Sequence, residues 1–148
     1  EVEEGLNVSA PCFATEVMSI LSDERGWISV RDIAFTQVDG DSYDLRLILA
    51  SPARTDELCY PARTAGKYSC RKEDRVVLYL MRWVSGTDEY QDDLSMYRTY
   101  LVNHEVGHYL GRGHENCPGA GEPAPLMMQQ TKGLGECLPN GWPTKDEI

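Results

Sequence analysis

All three histidines of the chain lie in one short segment, His104-Glu105-Val106-Gly107-His108-Tyr109-Leu110-Gly111-Arg112-Gly113-His114, and few backbones serve that pattern. His104 and His108 stand four residues apart, so on a helix their rings leave the same face, one turn above the other. Two imidazoles so placed can hold one Zn²⁺ at roughly 2.0–2.1 Å. Glu105 is rotated by about 100° from His104, off the ligand face but within reach of a water on the metal. Gly111 falls where the helix must stop and reverse, because a left-handed backbone there meets no Cβ clash. The reversal lets His114 swing back as a third ligand, which on a continued helix would point to the wrong side. Three neutral nitrogens leave a fourth position open, the arrangement of a catalytic rather than a structural zinc.

The rest of the chain reads as a scaffold for that segment. Asn7 or Ser9 can cap a helix with Pro11 in its first turn, and Phe13, Val17, Ile20 and Leu21 form its apolar stripe. Residues 33–38 alternate like a strand, and residues 43–50 read as a second, more buried one. Asp39-Gly40-Asp41-Ser42 between them is a turn, since Tyr43 and Ala50 stand where a calcium loop needs oxygen ligands. Residues 51–74 are loop-rich, with a short edge strand at 66–70, and residues 75–81 make the strongest strand. Asp92 or Asp93 caps a helix reaching about Leu110, beyond which Gly, Pro and Cys dissolve the pattern.

Five cysteines without a C-x-x-C pair argue for disulfides and an oxidising compartment rather than a zinc knuckle. Pairing Cys59 with Cys70 and Cys117 with Cys137 closes two Gly- or Pro-containing loops. Cys12 is left over, as a core thiol or as an intermolecular or regulatory one. Twenty-four acidic against fourteen basic residues exclude a nucleic-acid binder and disfavour an anionic membrane surface. No apolar run approaches the roughly 20 residues that cross a bilayer. The start at Glu1-Val2-Glu3 reads as that of a trimmed or mature fragment, with any targeting segment outside it and a secreted or extracytoplasmic location.

The motif His104-Glu105-x-x-His108-x-x-Gly111-x-x-His114 resembles the zinc signature of the metzincin metalloproteases. Pro123-Ala124-Pro125-Leu126-Met127-Met128 resembles their methionine turn beneath the metal, with Met127 under the zinc and Met128 as the alternative. The run from His104 to Gln130, including Glu115-Asn116-Cys117-Pro118-Gly119 after His114, also resembles a group of secreted bacterial metzincin-like domains. The resemblance implies an α+β fold: a mixed twisted sheet of about five strands, two main helices and a short irregular C-terminal subdomain. It implies one domain over residues 1–148, with sheet and zinc helix in 1–111 and the methionine turn in 112–148. Two departures stand out. Gln129 (or Gln130) occupies the place of a metal-touching Tyr in astacin-type members, and Pro139, Gly141 and Pro143 leave room for only a short C-terminal helix.

The implied activity is that of a zinc endopeptidase acting as a monomer on a peptide or protein substrate. Glu105 is its general base, drawing a proton from the water on the zinc and passing it to the leaving amine. Residues 67–70, as an edge strand, would align an extended peptide by strand addition. The competing expectations are a catalytically silent zinc-bearing module that binds a peptide or cell surface, and a structural zinc completed by Glu115 or Cys117.

Overall fold

Ser9 opens the first helix, its hydroxyl accepting the Cys12 N–H at 3.3 Å while Pro11 sits in the first turn. The computed structural model describes every residue except Arg63, Gly66, Gln91 and Asp92. In it, helix α1 spans Ala10–Leu21 and α2 spans Trp27–Arg31; strand β1 is Arg46–Ala50 and helix α3 is Pro52–Cys59. Strands β2 (Cys70–Lys72) and β3 (Arg75–Tyr79) follow, then α4 (Leu80–Ser85) and the long α5 (Leu94–Tyr109). Asp93 caps α5, its carboxylate accepting the Met96 N–H at 2.9 Å; Asp92, the other expected cap, lies outside the described residues.

The sheet has the order β1-β3-β2, with β1 parallel and β2 antiparallel to β3. Strand alternation divides the core between its two faces. Leu49, Val76 and Leu78 face α1 and α5, joining Phe13, Val17, Trp83, Tyr97 and Leu101. Ile48, Ala50 and Val77 face the other way and pack with Cys59 of α3. The fold is thus α+β, but with three strands among the described residues rather than about five.

The missing strands have a physical reason. Residues 33–38 form no ladder, although Ile33 and Phe35 lean on the core as their alternation requires. The free edge of β1 is taken at Leu49 by the N-terminal segment instead. Leu49 N–H reaches the Glu1 carbonyl at 2.9 Å, and Glu3 N–H reaches the Leu49 carbonyl at 3.0 Å. The expected strand over 43–50 pairs only from Arg46. The expected edge strand at 66–70 begins at Cys70: Gly66 is outside the described residues, and the Ser69 hydroxyl accepts the Tyr79 N–H at 2.9 Å where a backbone carbonyl would serve a ladder. The strand expected over 75–81 stops at Tyr79, where α4 begins.

Helix α3 replaces an expected loop. Ser51 followed by Pro52 is a start signal for it, and the Ser51 hydroxyl accepts the Arg54 N–H at 3.4 Å. After Leu110 no α-helix forms among the described residues; a 3₁₀ turn at Gln130–Lys132 is the only helical piece there. Buried Gln130 organises this tail, donating to the carbonyls of Pro125 and Asn140 and accepting from the Tyr90 hydroxyl and the Asn140 N–H. The disulfides Cys59–Cys70 and Cys117–Cys137 are formed, and Cys12 is free and exposed rather than a core thiol. Among the described residues, no helix is long and apolar enough to cross a membrane.

Candidate metal centre

Helix α5 delivers His104 and His108 one turn apart and ends just beyond them. Leu110 N–H closes on the Val106 carbonyl, and Gly111 then takes φ +87°, a left-handed conformation that turns the chain back. His114 returns to the other two. Its Nε2 lies 3.0 Å from that of His108, which lies 3.2 Å from that of His104. Ligands held at roughly 2.0–2.1 Å in a tetrahedron would stand about 3.3 Å apart, so the spacing suits a single small cation.

The second nitrogen of two rings fixes the tautomer. His104 Nδ1 lies 2.8 Å from the Leu126 carbonyl and His108 Nδ1 lies 2.9 Å from the Arg112 carbonyl. A carbonyl can only accept, so each Nδ1 carries the hydrogen, and in a neutral ring the lone pair is then on Nε2. Facing lone pairs at that distance repel unless a cation lies between them. Burial, before the neighbouring imidazoles, pushes the His104 pKa down to about 3, and burial with the His108 and Lys132 charges lowers that of His114. Both rings therefore stay neutral, the state in which imidazole binds a metal. The three histidines can hold a metal ion.

Glu105 opens into the same cavity and is buried. Its carboxyl has no hydrogen bond to another described residue, and desolvation alone pushes its pKa up to about 8. Met127 is fully buried beneath α5, where a Cβ on Gly107 would collide with its Sδ and lie 2.8 Å from the Trp27 ring. Met128 is partly exposed, and its carbonyl accepts the Tyr100 hydroxyl at 3.1 Å. Gln129 lines the cavity, whereas Gln130 is fully buried in the network of the tail. Cys117, bonded to Cys137, is not a metal ligand, and Glu115 pairs its backbone with Met127, N–H to carbonyl at 3.2 Å.

Sequence reasoning passed over Glu147, whose fully buried carboxylate accepts the N–H groups of Leu126 at 2.8 Å and Met127 at 2.7 Å. The same side chain reaches back to the N–H and hydroxyl of Thr144. A Thr followed three residues later by Glu is the capping-box pattern, so that half of its role was legible. Arg82, Tyr97, Tyr100 and Lys132, which also line the cavity, carry no local signal of that kind.

No curated protein and no solved structure matches this chain. Residues 1–139 match the family described as "Protein of unknown function (DUF3152)". That span takes in the sheet, α5 and all three histidines, and the chain belongs to the DUF3152 family.

Proposed function

We propose that this protein is a zinc-dependent endopeptidase of the metzincin type, with His104, His108 and His114 as the zinc ligands. The observation that carries the reading is the convergence of three histidine Nε2 atoms beside a buried glutamate that has no hydrogen-bond partner among the described residues, all in one cavity. A purely structural site has no use for that glutamate. Zinc, when bound, supplies the Lewis acidity that polarises a peptide carbonyl and makes water nucleophilic near neutral pH.

The chain's own residues do the rest. Glu105 accepts a proton from the attacking water and returns it to the leaving amine, a transfer open to a carboxyl not already committed to a hydrogen bond. The carbonyls of Leu126 and Arg112 hold two of the imidazoles in orientation. Ser69 and Cys70, at the start of edge strand β2, line the cavity and give an extended peptide a backbone to align on. Two disulfides suit an oxidising, extracytoplasmic setting.

The test is digestion of a random peptide library by zinc-loaded protein, with and without a chelator. Cleavage that the chelator abolishes and added zinc restores supports the reading. Zinc-loaded protein that cuts no peptide overturns it in favour of a peptide- or surface-binding module.

A further inference from the structure

The cavity at the histidines continues to side chains that the proton transfer does not use. Arg82 of α4 lines it beside Tyr97, Tyr100 and Leu101, and Lys132 lines it beside Tyr68. Arg82 donates from Nη1 to the Gly86 carbonyl at 3.1 Å, but its Nε–H is buried with no partner among the described residues. That Nε–H is closed off from solvent, so what Arg82 offers a ligand is its charge, which no ion pair among the described residues offsets, and the guanidinium N–H groups that the Gly86 carbonyl does not take. Lys132 is exposed, its Nζ 5.3 Å from the Tyr68 ring centroid, and makes no ion pair among the described residues.

The tyrosines are not the recognising groups. Tyr97 is hydrogen-bonded to the Thr131 hydroxyl at 3.1 Å, and Tyr100 donates to the Met128 carbonyl at 3.1 Å. They supply walls. The only carboxylate among the described lining residues is Glu105, set against Arg82 and Lys132, so the cavity reverses the sign of a chain with net charge −10. Its volume of about 210 Å³ is below the roughly 300–1,000 Å³ of small-molecule pockets and suits one side chain.

We propose that Arg82 and Lys132 make this cavity selective for peptides bearing an Asp or Glu side chain next to the bond to be cut. Arg82 meets that carboxylate with its charge and the guanidinium N–H groups left free by the Gly86 carbonyl, and Lys132 adds a second positive charge near solvent. The selectivity rests on the endopeptidase reading above.

The experiment uses matched peptides built on a cleaved sequence, differing only by Glu, Gln or Lys at the positions flanking the cut bond. At one of those positions kcat/KM for Glu exceeds that for Gln by about tenfold or more, with Lys lowest, and added salt shrinks the ratio. Arg82→Gln brings the Glu-to-Gln ratio close to one, and Lys132→Gln, at an exposed position, lowers it in part. Should Arg82→Gln not fold, Lys132→Gln and the salt series still decide. Calorimetric titration of the same peptides into zinc-loaded Glu105→Gln protein gives the same order of affinities without turnover. Equal cleavage of the Glu and Gln peptides, or a ratio that neither variant moves, overturns the selectivity and leaves the endopeptidase reading standing. If no peptide is cut, that reading fails, and the titration alone decides whether the cavity prefers a carboxylate.

Discussion

The carboxylate of Glu147 accepts the backbone N–H of Met127 at 2.7 Å, twenty residues away in the chain and fully buried. Its other oxygen accepts the Leu126 N–H, and the Leu126 carbonyl holds His104 Nδ1. The end of the chain is thereby connected to a histidine through two hydrogen bonds and one peptide unit.

Glu147→Ala removes charge-assisted bonds to two buried N–H groups. It is expected to lower stability by about 3 kcal/mol and zinc affinity by roughly 10–100-fold. Urea denaturation and zinc titration against a competing chelator measure the two effects. An unchanged zinc affinity contradicts the link from Glu147 to His104.

Gly107→Ala tests the packing of α5 on Met127. Alanine favours a helix over glycine by about 1 kcal/mol, but its Cβ would overlap the Met127 sulfur and crowd Trp27, an overpacking worth about 1–3 kcal/mol. The clash outweighs the propensity, so Tm falls by several degrees. A rise in Tm would mean that Met127 does not lie against Gly107.

Glu105 gives the metal-free protein a pH signature. Burial raises its pKa from near 4.5 to about 8, so between those values the folded state binds more protons than the unfolded one. Stability is therefore full below about pH 4.5 and declines as pH rises toward 8. His104 works in the opposite sense over pH 3 to 6.5, its lowered pKa costing stability as pH falls. Subtracting wild type from Glu105→Gln isolates the glutamate: the difference is flat below pH 4, then grows in favour of the variant up to about pH 8. Chelated samples denatured across that range provide the curve, and a difference that stays flat contradicts it.

Thiol titration separates the cysteines. The unfolded, unreduced protein should yield one reactive thiol, Cys12, and the reduced protein all five. Replacing Cys117 and Cys137 together by Ser reopens a loop whose ends are 20 residues apart, with an expected loss of about 3 kcal/mol by loop-closure entropy. Three or five thiols before reduction would contradict the pairing.

The histidine cluster was legible because its geometry is local: i,i+4 spacing on a helix, then a glycine stop. Helix α1 was legible for the same reason, its stripe of Phe13, Val17, Ile20 and Leu21 being buried. Residues 33–38 misled because alternation reports which side chains face the core, not whether a neighbouring strand is free to pair. Helix α3 was missed because its polar composition masked the Ser51-Pro52 start, with only Thr55 and Cys59 buried. Arg82 could not be read at all, since what sets it apart is a cavity shared with residues of α5 and of the tail.

The central claim is tested most directly by measuring zinc content and peptide turnover on the same samples of wild type and Glu105→Ala. The expected result is zinc bound by both proteins, chelator-sensitive turnover by wild type, and a fall of about 10²–10⁴-fold in the variant. Zinc-loaded wild type that hydrolyses nothing, or a variant that matches it, would contradict the assignment of this site as a peptidase.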